Sequence, residues 1–178
     1  MIQLRDKTAN ANELFKLALK ILPLTRSAGA LLIINDRLDV ALATQADGVH
    51  LGPNDPPIAD VRNVVSERFI IGYSTDDPIL GKKAESQGAN YIGCGTVYNT
   101  SNKSDAGEPI GINGIKRMVD AIDIPVVAIG GIRPENVPDL LEVGASGVAV
   151  IGSIMSSRRP GLITEQFLKH FSGPQANN

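Results

Sequence analysis

Hydrophobic positions fall in short unbroken runs: IQL (2–4), LLIIN (31–35), GVHL (48–51), FIIGY (69–73), YIGC (91–94), PVVAI (125–129) and GVAVI (147–151). Continuous runs of this length, rich in Ile, Val and Leu, predict strands covered on both faces rather than half-solvated ones. Between them, NELFKLALKILPL, DVALATQ, IADVRNVVS, DPILGKKAESQ, INGIKRMVDAI and PENVPDLLEVG carry helical patterning, and ITEQFLKHF closes the chain. Strict alternation of strand and helix calls for parallel strands joined by right-handed crossovers.

A near-repeat sharpens this. Ala46-Asp47-Gly48-Val49-His50-Leu51-Gly52 matches Ala89-Asn90-Tyr91-Ile92-Gly93-Cys94-Gly95, and Ala145 to Ile151 follows the same course. Ser27-Ala28-Gly29-Ala30 is a looser copy. Each marks a helix ending in a tight turn, where Gly88 and Gly144 suit a left-handed cap, with a strand directly after it. Repeated units of this kind favour a closed (β/α)8 TIM barrel over an open sheet. The chain supplies about seven βα units, so the expected fold is an N-terminally truncated barrel. Residues 1–172 are expected to form one domain and 173–178 a flexible tail.

Composition removes several function classes. The chain has 178 residues, 43% hydrophobic, a formal net charge of -2 and a mean hydropathy of +0.02. That balance gives no general pull toward nucleic acid or an anionic membrane, so any anion site must be local. No apolar run approaches the roughly 20 residues needed to span a bilayer. The single cysteine excludes an intrachain disulfide and makes a reducing cytoplasm the default. A homo-oligomer is compatible with the sequence but has no specific signal.

In a barrel of this type, residues just after the strands build the active site. Here Arg5, Asp6 and Lys7 follow the first strand; Asn35 ends the second, before Asp36 and Arg37. Asn54 and Asp55 follow the third, Ser74 and Thr75 the fourth, and VYNTSNKSDAGEP, with Thr100 and Lys103, the fifth. Gly130-Gly131 and Gly152-Ser153 follow the last two. Arg5, Lys7 and Lys103 offer fixed positive charge for phosphate oxygens. Asp36 and Asp55 suit a shared Mg2+, which takes one or two carboxylates and fills its shell with water and phosphate. The glycines let backbone N–H groups approach a second phosphate. Simpler roles stand beside these: Asp36 as a helix N-cap, Asp55 as a turn residue, and Arg5 and Lys7 as solvated charges. His50 reads as a packed or hydrogen-bonded strand residue, His170 as surface, and Cys94 as a small buried apolar group.

With these residues assembled, the chain resembles the thiamine phosphate synthase family. The motifs are QLRDK (3–7), IINDR (33–37), DGVHLGPND (47–55), GYST (72–75), YIGCGTVYNTSNKSDA (91–106), PVVAIGGI (125–132) and GVAVIGSI (147–154). The resemblance implies an enzyme that joins hydroxymethylpyrimidine diphosphate to thiazole phosphate, giving thiamine phosphate and diphosphate by an Mg2+-dependent dissociative route. It implies that Gln3, Leu4, Arg5, Asp6, Lys7, Asn35, Ser74 and Lys103 hold the pyrimidine diphosphate, and that Asp36 and Asp55 bind Mg2+. Arg5, Lys7, Lys103 and Ser74 would be the catalytic set. Thr100, Ser101, Asn102, Gly131, Ile151 and Gly152 would hold the thiazole phosphate. Asn102 replaces the family's second Thr, Pro53 the usual Gln after HLG, and Gly152 the usual Ser; the family's first strand and helix have no counterpart here. Two other readings stand: a thiazole tautomerase, a relative on the same barrel, and a non-catalytic barrel fragment that binds phosphorylated ligands.

Overall fold

The computed structural model describes residues 1–100 and 108–171. It contains seven parallel strands: β1 (Ile2–Leu4), β2 (Leu32–Asn35), β3 (Gly48–Leu51), β4 (Ile70–Ser74), β5 (Tyr91–Cys94), β6 (Val126–Ile129) and β7 (Gly147–Ala149). The helices are α1 (Ala11–Ser27), α2 (Leu38–Thr44), α3 (Ile58–Val64), α4 (Pro78–Ser86), α5 (Gly111–Ala121), α6 (Val137–Glu142), α7 (Gly152–Met155) and α8 (Pro160–Leu168), with a 3-10 turn at Pro134–Asn136. A helix follows each strand, and parallel pairing runs in chain order, which is the (β/α)8-type fold with seven strands expected from the patterning. No helix among the described residues is long and apolar enough to cross a membrane.

The chain divides into two compact units. The first comprises Met1–Ser74 and Lys83–Tyr91, the second Thr75–Lys82 and Ile92–Asn178. In the first, β1 to β4 pair in order, with Ile34 opposite Leu4 and Val49, and His50 opposite Asn35 and Gly72. Leu32, Ile33, Ile34, Val49 and Leu51 are fully buried, although their side chains alternate between the two faces of their strands. Burial on both faces is why these strands read as unbroken apolar runs. Helix α1 contributes Leu14, Ala18 and Leu22, and opens with a reciprocal cap between Asn10 and Glu13.

The near-repeat proves to be a registration device. The Asp47 N–H donates to the Leu32 carbonyl at 2.9 Å, and the Leu32 N–H returns a bond to Asp47 Oδ2 at 2.7 Å. Asn90 does the same to Ile71, at 2.7 Å through its N–H and 2.8 Å through Oδ1. In the second unit, the Ser146 N–H donates to the Val126 carbonyl at 2.8 Å. Gly88 and Gly144, just upstream, carry φ of +97° and +94°, the cap conformation that the sequence anticipates. The second unit also pairs β5 with β6 and β6 with β7, over a core containing Ile115, Met118, Ala128, Ile132 and Leu140.

Candidate active site

In the first unit, polar residues gather after β1, β2, β3 and β4. Asn35 ends β2, and Asp36 follows in the left-handed region at φ +62°, where Asp and Asn are the tolerated non-glycine residues. Its N–H donates to the His50 carbonyl at 2.8 Å, so the adjacent strand fixes this turn. Helix α2 starts instead from Arg37, without a side-chain cap, which excludes the N-cap role for Asp36. Asp55 is held from the β3 side, its Oδ2 accepting the Gly52 N–H at 2.7 Å. The turn role of Asp55 is therefore real, and it also brings the carboxylate to Asp36.

The two carboxyl groups share a hydrogen bond, and the pKa of Asp36 is raised. Partial burial is the main cause, followed by the Asp55 charge and that hydrogen bond; Lys7 and Arg5 act in the opposite direction. Two acids that repel one another and are flanked by two cations form a donor set fitted to a divalent ion. Among the described residues no three His, Cys, Asp or Glu side chains converge, so such an ion would complete its shell with water and ligand oxygens.

Other predicted residues sort less evenly. Ser74, at the end of β4, is half-buried and its Oγ lies 2.7 Å from His50 Nε2. The Gln3 side chain hydrogen-bonds to Tyr91. Leu4 is buried in the core. Asp6 turns into its own loop, where its Oδ1 accepts from the Thr8 N–H at 2.9 Å, the Thr8 hydroxyl at 2.7 Å and the Ala9 N–H at 3.1 Å. Leu4 thus has only its backbone to offer a ligand, while Oδ1 of the exposed Asp6 is taken up by its own loop. Sequence reasoning gave no role to Tyr91, whose ring reads simply as an apolar strand position.

The second unit holds a separate cradle lined by Thr100, Gly130, Gly131, Ile132, Ile151, Gly152 and Ser153, among others. Its floor is the turn after β6, where Gly131 has φ +64° and a Cβ would lie 2.6 Å from the Asn99 carbonyl oxygen. Only glycine permits that approach. The Val97 N–H donates to Ile129 at 2.9 Å and the Tyr98 N–H to Gly130 at 3.0 Å, tying the stretch that leads to Thr100 onto the double glycine. The Ser153 hydroxyl donates to the Ile132 carbonyl at 2.7 Å, so its side chain braces the wall and leaves the backbone to face a ligand. Of the residues implied for a thiazole phosphate, Thr100, Gly131, Ile151 and Gly152 meet here; Ser101 and Asn102, together with Lys103, lie outside the described residues.

Known proteins resemble this chain over most of its length. A family profile described as thiamine monophosphate synthase matches residues 1–154. The thiamine-phosphate synthase of Methanobrevibacter smithii is 42% identical over 171 residues, covering 96% of this chain and 81% of the relative. That of Chlorobium luteolum is 47% identical over 160 residues, covering 90% and 76%. The structure of a thiamine phosphate pyrophosphorylase from Pyrococcus furiosus superposes with a TM-score of 0.87 at 40% identity, over 95% of this chain and 81% of that one. The chain belongs to the thiamine monophosphate synthase family.

Proposed function

We propose that the chain transfers the pyrimidinylmethyl group of hydroxymethylpyrimidine diphosphate to the ring nitrogen of a thiazole phosphate, releasing diphosphate and forming thiamine phosphate. The observation that carries the reading is the Asp36–Asp55 pair with Arg5 and Lys7 beside it, a site for a metal-bound diphosphate. Arg5, Lys7 and Lys103 neutralise the leaving diphosphate as the C–O bond breaks, and Gln3, Asn35 and Ser74 orient the pyrimidine end. Bound Mg2+, held by Asp36 and Asp55, would supply further charge stabilisation to the departing oxygens. The pyrimidine amino group stabilises the cationic methylene left behind. The thiazole nitrogen then attacks this carbon and closes the new C–N bond.

Positioning the nucleophile is the task of the second cradle. Thr100, Ser101, Asn102, Gly131, Ile151 and Gly152 hold the thiazole phosphate, and that grip converts a bimolecular encounter into an oriented one. No general base is needed, because the attacking nitrogen carries no proton. The substrates are small molecules, and the single cysteine suits a reducing cytoplasm.

The test is Mg2+-dependent formation of thiamine phosphate from the two purified substrates. Asp36→Ala and Lys103→Ala should each lower the rate by orders of magnitude without loss of fold. An unchanged rate in both variants refutes the site.

A further inference from the structure

Three strand entries share one backbone pattern. The N–H groups of Ala46, Ala89 and Ala145 donate to the carbonyls of Ala41, Ala84 and Leu140, each at 3.0 Å, closing the preceding helix. The next residue then donates its own N–H across the sheet, to Leu32, Ile71 and Val126 in turn, at 2.9, 2.7 and 2.8 Å. Only the side chains differ. Asp47 and Asn90 reach back to the N–H groups of Leu32 and Ile71. Ser146 stands at the third position, and its hydroxyl oxygen lies one bond nearer the backbone than a carboxylate or amide oxygen. Among the described residues, no side-chain acceptor meets the Val126 N–H.

The space left by the shorter side chain is visible. A cavity of about 190 Å3 opens at this junction, lined by Val119, Ile122, Pro125, Val126, Gly144 and Ser146, among others. Asp123 is on its rim but turns outward, its side chain 93% exposed and its Oδ2 3.1 Å from Lys82 Nζ. Val126 itself is buried, at 2% exposure, whereas Ser146 is exposed at the mouth. An apolar occupant would leave the amide without an acceptor, which costs about 1–3 kcal/mol at a buried group. A polar, open cavity of this size has room for water, which can supply the acceptor.

We infer that the cavity is a hydration site, in which an ordered water accepts the Val126 N–H and hydrogen-bonds the Ser146 hydroxyl. The water takes the part that the Asp47 carboxylate and the Asn90 amide oxygen take at the other two entries. It thereby fastens the start of β7, a strand of only three residues whose far end leads into Ile151 and Gly152 of the cradle.

Two measurements on the full chain test this. A crystal structure resolving ordered solvent should place a water within hydrogen-bond distance of both Val126 N and Ser146 Oγ. A Val126 N–H bonded to a protein group, or facing no water, overturns the inference. In solution, an amide bonded to water exchanges more readily than one bonded to a side chain, so the Val126 amide should exchange at least roughly tenfold faster than those of Leu32 and Ile71. Equal protection of the three would overturn it. Ser146→Asn supplies the acceptor directly without adding a charge beside Asp123. It should slow Val126 exchange to the level of Ile71 and raise the thermal midpoint by about 2–4 °C. Exchange unmoved by that substitution in a folded variant would also refute the site.

Discussion

Replacing Asp36 by Asn should stabilise the metal-free protein while destroying its activity. Asn keeps the left-handed backbone at φ +62° with little strain, so the substitution isolates the charge. Two like unit charges about 4 Å apart repel by about 1 kcal/mol in water and about 4 kcal/mol at an effective dielectric of 20. Asp36 is only half-buried, and Lys7 and Arg5 offset part of the repulsion, so a net gain of about 1 kcal/mol is expected. For a chain of this size that is a rise of about 2–4 °C in the thermal midpoint. The sign of the pH dependence is fixed as well. The folded-state pKa of Asp36 is raised, so its ionisation costs stability above that pKa and the cost disappears as pH falls through it. The advantage of the variant should therefore be full above that pKa and fade as pH falls through it. Added Mg2+ should raise the wild-type midpoint more than that of the variant. Thermal melts in chelator and in Mg2+, at neutral and acidic pH, measure all of this. A variant that melts at or below the wild-type temperature in chelator at neutral pH would refute the carboxylate pairing.

Other substitutions probe the rest of the molecule. Gly131→Ala should raise KM for the thiazole phosphate at least about tenfold, since its Cβ would displace the 98–99 backbone; an unchanged KM would remove the cradle from the mechanism. Gly48→Ala would drive a methyl into the Ile70 backbone, and chemical denaturation should show a loss of roughly 1–3 kcal/mol. Cys94 is fully buried and its thiol is pushed up to about 12, chiefly by that burial. A thiol reagent should label it only under denaturing conditions, and rapid labelling at neutral pH without denaturant would contradict its placement.

The fold was legible because burial on both faces leaves an unbroken apolar run, and β2 and β3 show that rule directly. The same rule misled at the end of GVAVI. Strand β7 stops at Ala149, while Ile151 is 40% exposed, lines the cradle and precedes the four-residue α7. An apolar residue that lines a cavity looks identical in sequence to one that fills a core. Asp36 and Asp55 were visible as charges following strands, but excluding the N-cap role for Asp36 needed its φ and the start of α2. The hydrogen bond of Tyr91 left no sequence trace, since its hydroxyl meets His50, 41 residues away, only in the folded chain.

The registration device of Asp47 and Asn90 bears on how quickly the chain finds its fold. Each side chain ties the start of one strand to a backbone amide only 15 or 19 residues earlier. Loop-closure entropy grows slowly with length, so the two junctions close at nearly equal cost. Parallel sheets are ordinarily slow to assemble because their pairings are distant in sequence. Here Asp47 and Asn90 specify two of those junctions locally, each through a short closure rather than a search across the whole chain.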